Sequence, residues 1–186
     1  PSFLGRIWRK THVWFADERF VSRESINSAF GILYDTLLKR VPVRERFIHP
    51  IDCNVSDVKT AAAEYQTEIT ETFHALRTGG FFDLVLLGLG PDGHTAGLFP
   101  GKYAKNAKDL AISVPKPGQE PHIPRITFSL DLFNQSRTIL LVSRYQGKEA
   151  IIEALVERFL MGAPAPAFPV GQLEPRDELI LHVLKE

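Results

Sequence analysis

The sequence predicts a single α/β domain over residues 1–186, with a mostly parallel sheet and helices on both faces. Three observations carry that expectation. Segments of strand-like and helix-like apolar period alternate along the chain, the order that builds parallel sheets. The run Phe82-Asp83-Leu84-Val85-Leu86-Leu87 is almost wholly apolar and leads into Gly88, as a central strand covered on both faces does. The length of 186 residues, with 44% hydrophobic and 24% charged side chains, suits one domain with a real core.

Each element follows from its local pattern. His12-Val13-Trp14-Phe15-Ala16 is a short β-forming run that stops at Asp17-Glu18-Arg19, so it reads as a buried strand. Residues 24–40 set Phe30, Leu33, Leu37 and Leu38 at helical spacing, and Val41-Pro42 closes that helix. Ser56 is placed to cap a second helix whose stripe is Ala61, Ala62, Tyr65, Ile69, Phe73 and Leu76, with Gly79-Gly80 as its stop. Further strands are expected at residues 126–130, 138–143 and 179–184. Gln146 to Leu160 is an amphipathic helix, and the Pro/Ala stretch 162–166 is a loop between elements.

Composition excludes several classes. Lys plus Arg number 22 and Asp plus Glu number 22, so no basic excess points to nucleic acid. No apolar run approaches the ~18 residues that span a bilayer, which argues against a membrane partner. Cys53 is the sole cysteine, so there is no intrachain disulfide and no multi-cysteine metal site, and the expected location is the cytoplasm. The chain opens on Pro1 rather than Met, as a processed or partial product does.

The densest chemical signal is residues 88–101, Gly-Leu-Gly-Pro-Asp-Gly-His-Thr-Ala-Gly-Leu-Phe-Pro-Gly. Gly88, Gly90 and Gly93 satisfy a GxGxxG spacing after a strand, but Pro91 removes a backbone donor and Pro100-Gly101 arrive before a helix can form. A dinucleotide site is therefore disfavoured. The segment does offer a sharp turn at a strand's carboxyl end, where open α/β sheets bind ligands, and it carries Asp92 and His94. Two readings of His94 fit: a general base with Asp92 orienting its ring, or a loop histidine beside an Asx-turn. Asp17-Glu18-Arg19 is either part of the same rim or a solvated charged turn. Arg125 and Lys148 are either surface cations or, converging on the rim, a phosphate site.

Taken together, Asp17-Glu18-Arg19, Ser25-Ile26-Asn27, Gly88 to Gly101 and Pro124-Arg125-Ile126-Thr127 resemble the 6-phosphogluconolactonase family in order and spacing. Asp92-Gly93-His94-Thr95 followed by Leu98-Phe99-Pro100 is the specific part, and the resemblance runs from about Thr11 to Leu184. It implies a Rossmann-like fold and hydrolysis of 6-phosphoglucono-1,5-lactone in the pentose phosphate pathway, without metal or organic cofactor. Carried onto these positions, His94 is the base that activates water, with Asp92 and Arg19 in the catalytic set. Arg125 and Lys148 would hold the phosphate, and Asp17, Asn27, Gly90, Gly93 and Thr95 would complete the substrate site. A δ-lactone is an activated ester, so one base plus positioning suffices, with backbone N–H groups of the glycine turn as candidate oxyanion donors.

Departures from the family pattern bear on these expectations. Gly97 stands where serine is usual, and Tyr145 where glycine precedes the Gly147-Lys148 pair, a change expected to shift Lys148 or narrow the pocket. Family members open with a further strand-helix unit bearing a Ser-Gly-Gly phosphate loop, which Pro1 to Lys10 does not resemble. The fold is therefore expected to be N-terminally incomplete, with weakened phosphate binding and an uncovered sheet edge. Fusion to, or association with, another enzyme of the pathway is a further expected partner relation. Two rival functions remain: a glucosamine-6-phosphate deaminase, disfavoured because no acid lies between Asp92 and Asp109, and a non-catalytic sugar-phosphate-binding remnant.

Overall fold

The computed structural model describes residues 3–77, 79–103 and 108–185. In chain order the regular elements are α1 (Phe3–Trp8), β1 (Val13–Trp14), β2 (Asp17–Arg19), α2 (Ala29–Thr36), β3 (Ile48–His49), α3 (Val58–Leu76), β4 (Leu84–Gly88), β5 (Ala111–Val114), β6 (Arg125–Phe128), α4 (Leu130–Gln135), β7 (Thr138–Arg144), α5 (Glu149–Met161) and β8 (Glu178–Leu184). Short 3₁₀ turns lie at Leu38–Arg40, Glu45–Phe47 and Pro169–Gln172.

The α/β class and the single domain are as the sequence predicts, but the pairing is mixed. β1 pairs with β3 in parallel, and β4-β7-β8 form a parallel sheet in that order. β2-β6-β5 form a separate sheet in which both pairings are antiparallel. The chain turns out of β1 through Phe15 and Ala16, and Asp17–Arg19 then pairs with β6 instead of ending as a charged turn. β5 and β3 were not anticipated, because runs of four and two residues carry too little period to read.

Coverage on both faces holds only in part. Val85 and Leu87 of β4 are buried, together with Ile139 and Leu141 of the neighbouring strand. The opposite pleat face carries Leu84 at 55% and Leu86 at 63% exposure, in register with Leu140 and Ile180. That face is left exposed among the described residues, and the outer edges of β4 and β1 have no paired strand there. The chemical reason the sequence misleads is simple: an apolar strand reads the same whether one face or both are covered.

Helix ends show how local chemistry was legible. Ser28 caps α2 by accepting the N–H of Gly31, and the helix stops at Thr36, short of the expected end, before the Leu38–Arg40 turn. At α3 the cap is Asp57, not Ser56: its carboxylate accepts from the N–H groups of Lys59 and Thr60 at 2.8 and 3.0 Å. A carboxylate at the positive end of a helix outcompetes the neighbouring hydroxyl. Arg77, at φ 54°, ends α3 in the left-handed region ahead of the two glycines.

The main core forms where α3 lays Ala61, Ala62, Tyr65, Ile69 and Phe73 against the antiparallel sheet and β1. Tyr65 is the polar tie in that layer. Its phenolic oxygen accepts the Phe15 N–H at 2.8 Å and donates to the His49 carbonyl at 3.1 Å. Tyr65→Phe leaves the buried Phe15 N–H without a partner, which costs about 1–3 kcal/mol. Thermal denaturation of that variant is expected to show a Tm lower by about 3–10 °C.

Candidate active site

β4 delivers the chain to its carboxyl end and into a turn held together by its own hydrogen bonds. The Gly90 N–H donates to the His94 carbonyl at 2.8 Å, and the Gly93 N–H donates to the Gly90 carbonyl at 3.0 Å. The Thr95 hydroxyl donates back to the Gly88 carbonyl at 2.8 Å. Thr95 and Leu98 close a small bridge beyond it. Two glycines are obligatory on steric grounds. A Cβ on Gly90 would lie 2.0 Å from His94 Nδ1, and one on Gly93, at φ +79°, would lie 2.6 Å from the Phe168 ring. The Val170 N–H donates to the Gly93 carbonyl at 3.0 Å, so the connection between α5 and β8 braces the turn from behind.

This turn aims the imidazole. Asp92 Oδ1 lies 2.6 Å from His94 Nδ1 and also accepts the His94 backbone N–H at 3.0 Å. Asp92 thus makes the Asx-turn and orients the ring with one oxygen. Partial burial pushes the Asp92 carboxyl up, but the hydrogen bonds from His94 outweigh it and leave the carboxyl below its ordinary range. An ionised Asp92 accepts a hydrogen bond from Nδ1–H, which fixes the tautomer whose Nε2 lone pair is free. The Phe99 ring, 4.8 Å away, packs against the imidazole.

His94 opens onto a groove of about 960 Å³, lined by Val13 to Asp17 on one side and Leu84 to Pro91 on the other. Consecutive residues line it on both sides, so it follows two backbone edges and not one pleat face. Arg19 and Arg125 also line it. They stand directly opposite each other across the β2–β6 ladder. Asp17 and Arg125 form a buried ion pair at 2.7 Å, with the Arg125 guanidinium also 5.5 Å above the Phe99 ring. Burial raises the Asp17 carboxyl even though Arg125 opposes it. Asp17 Oδ1, Arg19 Nε and Arg125 Nε are buried without a hydrogen-bond partner among the described residues.

The other expected site residues divide. The Asn27 carbonyl, not its side chain, meets Arg19, at 3.4 Å from NH1. Thr95 is buried with its hydroxyl on Gly88. The N–H groups of Gly90, Gly93, His94, Thr95, Gly97 and Leu98 are engaged within or just beside the turn, so these six are not open as oxyanion donors. Lys148 caps α5 and does not line the groove. Tyr145, 40% exposed with its hydroxyl donating to Glu153, does not narrow the groove. At Gly97 a Cβ would lie 2.8 Å from Thr127 Cβ, which makes the missing side chain a close backbone approach. Three contributors were not anticipated: Phe99, Phe168 and Thr127. Thr127 donates to the Ala16 carbonyl and accepts the Gly97 N–H; in the sequence it stands out only as a member of the Pro124-Arg125-Ile126-Thr127 stretch, with no role attached. Among the described residues no group of three or more His, Cys, Asp or Glu could hold a metal ion.

Known proteins are similar to this chain in sequence and in fold. Residues 4–181 match the family model described as glucosamine-6-phosphate isomerases/6-phosphogluconolactonase. A 6-phosphogluconolactonase of Synechocystis sp. is 36% identical over 175 residues, covering 93% of this chain and 70% of its own length. The chloroplastic 6-phosphogluconolactonase 3 of Arabidopsis thaliana is 34% identical, covering 93% of this chain and 54% of its own. The chain thus spans between 54% and 70% of the length of these two relatives. Among solved structures, a 6-phosphogluconolactonase from Thermotoga maritima superposes with a TM-score of 0.78 at 24% identity, covering 96% of this chain and 74% of that one. A monomeric glucosamine-6-phosphate deaminase reaches a TM-score of 0.73 at 19% identity, covering 90% and 70%. The structural likenesses show the fold, and the match along nearly the whole sequence shows the family: the chain belongs to the glucosamine-6-phosphate isomerase/6-phosphogluconolactonase family.

Proposed function

We propose that the chain hydrolyses 6-phosphoglucono-1,5-lactone to 6-phosphogluconate. The observation that carries this reading is the Asp92–His94 pair, 2.6 Å apart, held at the mouth of a groove lined by two arginines. His94 Nε2 takes a proton from water as that water attacks the lactone carbonyl, and the ring oxygen leaves as the C–O bond breaks. The imidazolium then returns its proton to that oxygen, while Asp92 stabilises the charged ring. Because Arg19 lines the groove and six of the turn's N–H groups are engaged, its guanidinium is assigned to the oxyanion. Arg125 and Lys148 are assigned to the phosphate. Arg125 would serve with one nitrogen already on Asp17, and Lys148 lies at the same rim, since β7 runs parallel to β4 and ends four residues before it. The absence of any acid between residues 93 and 108 favours the lactone over ring-opening of an amino sugar.

No helix among the described residues is long and apolar enough to cross a membrane. The cytoplasm is the proposed location, on the strength of the lone Cys53, whose thiol burial pushes up to about 11. Association with another enzyme of the same pathway is proposed as the partner relation.

Hydrolysis of fresh lactone, corrected for spontaneous opening, tests the reading. His94→Ala is expected to lower the enzymatic rate by about 10²–10⁴-fold with the circular dichroism spectrum unchanged. Full activity in that variant removes the assigned base. Asp92→Asn is expected to cost about 10–10²-fold in kcat, because the ring loses its fixed tautomer and aim. Since Asp92 stays ionised below its ordinary range, the acid limb of kcat/KM should show uptake of one proton, not two. Lys148→Ala should raise KM with kcat within about twofold, as loss of uniform phosphate binding does. A saturable 6-phosphogluconate titration with no turnover would instead favour a binding remnant.

A further inference from the structure

β2 alternates its side chains, and the middle one has no part in the groove. Asp17 and Arg19 line the groove, while Glu18 points the other way and is only 3% exposed. A buried carboxylate survives only if its oxygens are satisfied. Four donors meet this one. Oε1 accepts the N–H groups of Ala29 at 2.7 Å and Arg19 at 2.8 Å. Oε2 accepts the Phe30 N–H at 2.8 Å and the Ser28 hydroxyl at 3.1 Å.

These donors belong to two pieces of structure, the start of α2 and β2. Ser28, Ala29 and Phe30 are the cap and first turn of α2, whose Ala29, Ile32 and Leu33 form part of the groove wall. Arg19 is the cation on the adjoining strand. Its backbone is held by Glu18 directly. Its guanidinium reaches the carbonyl of Asn27, the residue before Ser28, which Glu18 also holds. Both ends of the Arg19 side chain are therefore referenced to one carboxylate. The negative charge sits at the positive end of α2, so the clamp is reinforced by the helix dipole.

We infer that Glu18 is a positioning residue of the active site, clamping the start of α2 to β2 so that Arg19 is held at a fixed place in the groove. The inference rests on the hydrolase reading for its kinetic consequence, but the clamp itself does not. Glu18→Gln keeps the shape and breaks the pattern. In either orientation the amide sets an NH₂ against a backbone N–H, of Phe30 or of Ala29 and Arg19.

The test is a double-mutant cycle between Glu18→Gln and Arg19→Lys, measured by lactone hydrolysis. Glu18→Gln is expected to lower kcat about tenfold with KM within about twofold, the sign of an interaction lost mainly in the transition state. In the Arg19→Lys background the same change should cost under about threefold, because the two act as one unit. Asp57→Ala, which removes the α3 cap far from the groove, serves as a control that lowers stability and leaves both constants unchanged. Should Glu18→Gln not fold, Ser28→Ala removes one Oε2 donor and is expected to act in the same direction with a smaller effect. Multiplying effects in the cycle, or unchanged kcat in the single variant, overturn the inference. If the parent chain shows no hydrolysis above spontaneous opening, the hydrolase reading fails by itself. The clamp is then judged by the Arg19 Nε–H resonance in nitrogen-15 NMR, which should shift and broaden in Glu18→Gln but not in Asp57→Ala. An unmoved resonance overturns the clamp as well.

Discussion

The His94 imidazole rests against the backbone of Gly90 so closely that a single added carbon at residue 90 would overlap the ring. That contact is possible because the Gly90 N–H and the His94 carbonyl are bonded to each other, folding the five-residue turn back on itself. Asp92, inside the turn, meets both the backbone N–H and the ring of His94. The arrangement of base and orienter is thus a consequence of backbone closure. Phe168 and Val170 brace the turn from behind, and Phe99 limits the ring from the side. A side chain fixed on every flank loses little entropy when it acts, which is what positioning contributes to catalysis.

The second constraint is electrostatic. Asp17 and Arg125 are both largely withdrawn from water, and such a pair adds little to stability once desolvation is counted. Removing either partner alone would strand a buried charge. The pair is therefore better understood as a fixed dipole in the groove wall than as a fold-stabilising bridge. Within the groove it also means that one of the two lining arginines is already answered by a carboxylate. Arg19, across the ladder from Arg125, forms no such ion pair among the described residues, and its guanidinium meets the Asn27 carbonyl.

The groove itself is a product of two sheets that do not join. β1 and β4 each have a paired neighbour on one side only among the described residues, and their other edges border the groove. Apolar side chains from both strands and from α2 form its walls, while the polar groups gather near the His94 turn. Such a division, with apolar walls and a few convergent polar groups, is what small-molecule sites share. The exposed face of β4, with Leu84 and Leu86, adjoins it.

Much of this was legible in the sequence because it is local. The spacing of Gly88, Gly90, Gly93, Asp92 and His94 specified a turn, and the turn specified the pair. The helical stripe of α3 and the run of β4 were likewise written in periods of apolar residues. What tertiary structure decided was pairing and environment. Asp17-Glu18-Arg19 carries three charges in a row and reads as solvent-facing, yet it became a strand with one side chain buried and two on the groove, because β6 offered its edge. Glu18 is buried because the start of α2 brings it two N–H donors and a hydroxyl, from residues ten to twelve positions along the chain, and its neighbour Arg19 adds a third N–H. Arg125 was read as an open cation and is in fact paired with Asp17, 108 positions away in sequence. The sequence by itself determined which residues could do chemistry, since that follows from side-chain type and short-range spacing. Tertiary structure alone decided which of them are available, since a charge's partner and its exposure are set by chain segments that no local pattern relates.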